Sequence, residues 1–121
     1  MAVLIIDDDP LNLTLMSYLL RTVEPAPALE FADPLAALAW CAAQAPDLVL
    51  IDQWMPGLCG LEFIERLRQL PQGANVPVLL ISADVDAALR GKGESLGVAD
   101  FLSKPIVKAE LLEKVQKLLR R

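Results

Sequence analysis

"AVLIIDDDP" (residues 2–10) joins an apolar run to three consecutive carboxylates, Asp7, Asp8 and Asp9, and then to a proline. A continuous apolar run, without alternation, suits a strand covered on both faces. Acids at the end of such a strand repel one another and lose hydration, so something must compensate them. Asp9-Pro10 reads as a helix N-cap followed by proline at the first helical position. The stretch therefore gives a buried strand, an acidic rim and a helix start, in that order.

Working outward, the same sequence of signals recurs. Short apolar runs lie at "AVLII" (2–6), "ALEFA" (28–32), "DLVLI" (47–51), "PVLLI" (77–81) and "ADFLS" (99–103). Segments with helical spacing separate them. The first helix is expected from about Pro10 to Thr22, with Leu11, Leu15, Tyr18 and Leu19 on one side as its apolar face. Asp33-Pro34 opens the second, "PLAALAWCAAQA", which stops at Pro46. The third covers "GLEFIERLRQL", with Leu61, Ile64 and Leu67 inward. The fourth lies between Asp86 and Gly97 and contains Gly91 and Gly93, each costing about 1 kcal/mol relative to alanine in a helix interior. The fifth is "KAELLEKVQKLLRR", with Leu111, Val115 and Leu118 at i, i+4 and i+7. Strand and helix alternate five times, which predicts one α/β domain over residues 1–121. Its form is a (βα)₅ doubly wound parallel five-stranded sheet.

Bulk composition narrows the function. The chain has 121 residues, of which 55% are hydrophobic, and a net charge of −5. That size supports a proper core, and the acidic balance argues against direct nucleic-acid binding. No apolar run approaches the ~20 residues of a membrane span, and no basic leader precedes an apolar segment. The charge is uneven: residues 1–60 hold eight acids and one base, whereas residues 61–121 hold eight acids and ten bases. Two cysteines make no disulfide framework. Helix packing accounts for Cys41 and a loop or helix start for Cys59, so a reduced, cytoplasmic setting is expected. There is no histidine. Ser-His-Asp and Cys-His catalysis are thereby excluded, and any metal site must use oxygen ligands, which favours Mg²⁺, Mn²⁺ or Ca²⁺.

Sheets of this kind carry their sites outside the C-terminal ends of the strands. Asp7 and Asp8 follow the first strand, Asp52 the third, Ser82 the fourth and Lys104 the fifth. Three carboxylates in one cleft call for a hard divalent cation, and Mg²⁺ takes few carboxylates and accepts phosphate oxygens. A metal, an ammonium, a hydroxyl and a carboxylate nucleophile together describe phosphoryl transfer onto an aspartate. Asp9 is better read as the helix cap.

"DD" after the first strand, "LVLIDQWMPGLCG" around Asp52, "VLLISA" and "DFLSKP" together resemble the receiver domains of bacterial two-component response regulators. The resemblance runs the length of the chain. It implies a flavodoxin-like strand order 2-1-3-4-5, with two helices on one face and three on the other. It makes Asp52 the phosphoacceptor, with Ser82 bonding the phosphoryl group and Lys104 pairing with it. It places Mg²⁺, for which Mn²⁺ can substitute, on Asp7, Asp8, Asp52 and the backbone carbonyl of Trp54. Ser82 and Phe101 match the switch positions, and the Lys104-Pro105 bond is expected to be cis. Such a domain catalyses only its own phosphorylation and dephosphorylation. Its implied partners are a histidine kinase or phosphotransfer protein and a downstream output domain or protein. The partner face would be the fourth helix, fifth strand and fifth helix, carrying Arg90, Lys92, Lys108 and Lys114, which also serves a phosphorylation-dependent dimer. "FADPLAALAW", "GLEFIERLRQLP" and "DFLSKPI" resemble receivers that precede cyclic-di-GMP enzymes. Gln53 and Trp54 depart from the family's usual residues, and Trp54 bears on the rate of phosphoryl loss.

Two other readings compete. A phosphatase of the haloacid-dehalogenase class would use Asp7 as nucleophile and Asp9 as general acid. It would expect threonine or valine where Leu11 stands, and it leaves Asp52-x-x-Met-Pro-Gly without a purpose. A receiver fold that is never phosphorylated is the second. The intact set Asp7, Asp8, Asp52, Ser82 and Lys104 argues against it.

Overall fold

The computed structural model describes residues 2–22 and 28–119. Strands β1 (Val3–Ile6), β2 (Leu29–Phe31), β3 (Leu48–Asp52), β4 (Val78–Ser82) and β5 (Asp100–Ser103) alternate with helices α1 (Pro10–Leu20), α2 (Pro34–Ala43), α3 (Gly60–Gln69), α4 (Ala87–Ser95) and α5 (Lys108–Leu119). The strands form one parallel sheet in the order β2-β1-β3-β4-β5. Every expected strand and helix is present. The two residues expected to end the fifth helix, Arg120 and Arg121, lie outside the described residues.

Alternate residues of the central strands divide the core in two. Leu4, Ile6, Val49, Ile51, Val78 and Leu80 face α2, α3 and α4. Val3, Ile5, Leu48, Leu50, Leu79 and Ile81 face α1 and α5. Both faces are covered, which is why β1, β3 and β4 read as unbroken apolar runs. The caps are local and strong. The Asp9, Asp33 and Asp86 carboxylates accept from the Leu11, Leu35 and Leu89 amides at 3.0, 2.9 and 2.8 Å. Such caps contribute about 1 kcal/mol each.

Arg68 of α3 joins segments that are far apart in sequence. Its Nε donates to Leu96 O at 2.9 Å and Nη2 to Gly97 O at 3.0 Å, beyond the end of α4. Nη1 donates to Gly73 O and Val76 O, both at 2.8 Å. Burial pulls the pKa of this half-buried guanidinium below its ordinary value, but an arginine keeps its charge in proteins.

The first helix turns a different face inward from the one expected. Leu13, Met16, Leu19 and Leu20 are buried, whereas Leu11, Leu15 and Tyr18 are exposed. In "PLNLTLMSYLL" apolar residues surround the helix, so spacing alone supports two stripes. The Asp9 cap and the strand-to-helix connection fix the rotation. On α3, Ile64 and Leu67 are buried as expected and Leu61 is half-buried, while Phe63 adds a fully buried ring. Leu111, Val115 and Leu118 of α5 are all buried. The buried stripe of α1 can be tested directly. Met16→Ala should lower stability by about 2–5 kcal/mol in urea unfolding, and Leu15→Ala by less than about 0.5 kcal/mol. Equal losses would contradict the orientation.

Candidate functional site

The parallel sheet brings the ends of β1, β3, β4 and β5 to one rim, and backbone hydrogen bonds fix each position. The Asp7 amide donates to Phe31 O at 3.1 Å, and the Gln53 amide to Ile81 O at 2.8 Å. The Lys104 amide donates to Ser82 O at 2.9 Å. Asp7, Asp8 and Asp52 each offer a carboxylate oxygen, and these atoms lie within 4.8 Å of one another. Asp7 and Asp52 are buried, and Asp8 faces solvent.

Lys104 Nζ lies 2.9 Å from Asp52 Oδ1. Among the described residues, Asp52 Oδ1 has no partner apart from that ion pair, and the buried Asp7 Oδ2 has none at all. Asp7 Oδ1 accepts from the Asp9 amide at 2.9 Å. Burial raises the pKa of Asp7 above 3.8 and the charge of Asp52 adds to this, while the Asp9 amide, Lys104 and Asn12 oppose it. Burial by itself lowers the pKa of Lys104, but Asp52, Asp7 and Asp8 outweigh it, and the net shift is upward. The cleft is thus a desolvated, electron-rich corner with one cation and an unpartnered carboxylate oxygen. Its all-oxygen donor set fits a hard divalent ion.

Neutral residues complete the site. A Cβ at Gly60 would fall 2.9 Å from Asp52 O and 2.9 Å from Gln53 Oε1, so only glycine lets α3 start this close to the end of β3. The Gly60 amide donates to Gln53 O at 2.9 Å, and the Leu61 amide to Gln53 Oε1 at 2.9 Å. Sequence reasoning missed Gln53 and Gly60 as anchors of this loop. The second glycine of "GLCG" was the available signal. The loop between them is pinned by buried Met55 and Leu58, while Trp54 is 68% exposed.

Two sequence-predicted residues make their contacts outside the carboxylate cluster. Ser82 is buried at the end of β4, and its hydroxyl engages the next loop. It accepts from the Asp84 amide and donates to Asp84 O, both at 3.2 Å. Phe101 sits in the core beneath α4, with the Arg90 guanidinium carbon 5.0 Å from its ring centroid. Lys114 donates to Asp100 Oδ1 at 3.1 Å and to Phe101 O at 2.7 Å. Two of the four cations expected on the partner face are therefore engaged within the fold. Lys104-Pro105 is cis. Cys41 is buried, which raises its thiol to about 11, and Cys59 precedes the first residue of α3.

Residues 3–116 match the description of the response regulator receiver domain, and the chain belongs to that family of two-component signal transduction. Its relatives give that membership a finer grain. The chain is 40% identical over 119 residues to RpfG of Xanthomonas campestris pv. campestris, a cyclic di-GMP phosphodiesterase response regulator, covering 98% of this chain and 32% of RpfG. It is 35% identical over 118 residues to the response regulator PleD of Caulobacter vibrioides, covering 98% of this chain and 26% of PleD. The chain thus spans a third or less of the length of these two relatives. Among solved structures, the receiver domain of the sensor histidine kinase PA1611 from Pseudomonas aeruginosa PAO1 superposes with a TM-score of 0.87 at 27% identity, over 99% of this chain and 98% of that one. That structure has a magnesium ion coordinated in its active site cleft. The chemotaxis protein CheY4 of Vibrio cholerae gives a TM-score of 0.90 at 26% identity, over 98% of both chains.

Membership in this family removes the phosphatase alternative, and the role of Asp9 as the cap of α1 agrees with that.

The raised pKa of Asp7 makes a signed prediction. A carboxyl that ionises less readily folded than unfolded costs stability above its folded pKa, and the cost vanishes as pH falls below its unfolded value. In metal-free buffer Asp7→Asn should therefore raise the melting temperature at pH 7. The advantage should shrink as pH falls through the folded pKa of Asp7 toward 3.8. A variant less stable than the parent at pH 7 would refute this account of the corner.

Proposed function

We propose that Asp52 accepts a phosphoryl group from a histidine kinase or phosphotransfer protein. The observation that carries this reading is a buried Asp52 carboxylate, ion-paired to Lys104 and flanked by the carboxylates of Asp7 and Asp8. One Asp52 oxygen attacks phosphorus, the bond from phosphorus to the donor breaks, and the leaving group departs with the electron pair. The product is an acyl phosphate on Asp52. Lys104 holds the carboxylate in place and pairs with the charge that arrives on the phosphoryl oxygens. Asp7, Asp8 and Asp52, with the backbone carbonyl of Trp54, would hold Mg²⁺ or Mn²⁺. Bound there, the cation supplies charge neutralisation for phosphoryl transfer.

Ser82 supplies the readout. For its hydroxyl to donate to the new phosphoryl oxygens, it must leave Asp84, and that frees the loop leading to the Asp86 cap of α4. Phe101 is the second switch residue. The α4–β5–α5 face then meets an output domain, a partner protein or a second copy, with Arg90, Lys92 and Lys108 among its exposed cations. The likeness to RpfG supports an output linked to cyclic di-GMP. Apart from turning over its own phosphoryl group the domain catalyses nothing. Two free cysteines fit a cytoplasmic setting. Among the described residues no helix is long and apolar enough to cross a membrane.

The test is covalent. Incubated with acetyl phosphate and Mg²⁺, the protein should gain the mass of one phosphoryl group, mapped to Asp52, and Asp52→Asn should gain none. Label on Asp7, or equal labelling of the variant, defeats the assignment. No labelling from any phosphodonor returns the domain to a pure interaction module.

The Trp54 ligand is tested by light emission. Added Mg²⁺ should change the intrinsic fluorescence, and Trp54→Phe should remove most of the change. Loss of the signal in Trp40→Phe instead would show that the loop after β3 does not hold the ion.

A further inference from the structure

Gly93 occupies the buried face of α4, one turn after Leu89. A methyl group at position 93 would lie 2.6 Å from Cζ and 2.7 Å from Cε2 of Phe101. Carbon atoms in contact sit about 3.5–4.0 Å apart, so the ring edge fills the room a Cβ would need. Arg90 covers the ring face from the same helix. The Phe101 backbone has no freedom to yield. It pairs with Leu80 in the sheet, its amide donates to Asp100 Oδ1 at 2.8 Å, and its carbonyl accepts from Lys114. The ring itself has two torsions, and flipping χ2 restores the same outline. Clearing a methyl at 93 therefore needs a new χ1 well, which carries the ring out from under α4.

We propose that Gly93 is the positioning residue of Phe101: its missing side chain is the seat of the ring, and the occupant of position 93 sets whether that ring senses events at Asp52. The sensing half rests on the reading of Phe101 as a switch; the seat does not. The rival account is that Gly93 only weakens the helix, as glycine does relative to alanine. Gly91 separates the two. It lies on the same helix, and among the described residues nothing lies within 4 Å of a Cβ placed there. Helix propensity predicts that both glycine-to-alanine changes stabilise. The seat predicts opposite signs.

Three phenylalanines, Phe31, Phe63 and Phe101, make the ring observable by ¹³C-phenylalanine NMR, with Phe101→Leu assigning its resonances. Gly91→Ala should raise the urea midpoint and leave the Phe101 resonances in place. Gly93→Ala should lower the midpoint, shift those resonances and make them broaden with a soluble paramagnetic agent. Gly93→Ala combined with Phe101→Leu should be at least as stable as Phe101→Leu alone, because the colliding ring edge is gone. Beryllofluoride with Mg²⁺, a phosphoryl mimic, completes the test, since its bound ¹⁹F signal reports occupancy of Asp52 independently. Binding should move the Phe101 resonances of the parent. In Gly93→Ala binding should persist and the ring response should be lost.

If Gly93→Ala stabilises like Gly91→Ala with unmoved resonances, the seat is wrong. If beryllofluoride binds the parent without moving the Phe101 resonances, sensing through the ring is wrong. A missing bound-fluoride signal refutes the phosphoacceptor reading instead, and the displacement of the ring in Gly93→Ala still decides the seat.

Discussion

The ion pair between Lys104 and Asp52 is the interaction that makes the rest of the rim tolerable. Asp7 and Asp52 end two adjacent strands, so the sheet places two buried carboxylates side by side. In a medium of low effective dielectric that repulsion is several-fold stronger than in water. A parallel sheet leaves no choice, because it puts all its strand ends on one edge. The remedy comes from the same edge, since β5 delivers an ammonium whose own amide is tied to Ser82 O. Breaking such a pair costs more than forming it gains, because the surviving charge stays buried. The two apolar cores beneath then hold this charged corner in register.

Much of the architecture was legible because each signal had a single physical meaning. Unbroken apolar runs imply strands buried on both faces, and Asp-Pro implies a capped helix start. The acidic rim followed from topology, since Asp7, Asp8, Asp52, Ser82 and Lys104 all stand at the C-terminal ends of strands. The inward face of α1 was not legible. Its residues are apolar all round, and periodicity decides nothing when both candidate stripes are hydrophobic. Nor was the anchoring of α3. Gln53 and Gly60 carry no charge, and although they stand inside the stretch around Asp52, their anchoring role appears only where two backbones approach each other.

The charged residues of α4 and α5 carry a related lesson. As a sequence, Arg90 and Lys114 are cations on exposed turns, available to a partner. In the fold Arg90 lies over an aromatic ring, and Lys114 reaches across to β5. Their long stems let the charge serve neighbours well away from their own Cα atoms. Gly93 shows the same limit from the other side. Composition reveals that glycine weakens a helix, but only packing reveals what fills the space it leaves.

The arginine of α3 gives α4 an unequal footing. Two of its hydrogen bonds grip the carbonyls just past the C-terminal end of that helix, and two more tie the same guanidinium to the segment before β4. The opposite end hangs on the carboxylate of Asp86, a short step from the hydroxyl of Ser82. Mechanically this is a beam clamped at one end and resting lightly at the other. A force applied at the light end of such a beam swings it about the clamp rather than sliding it along its length.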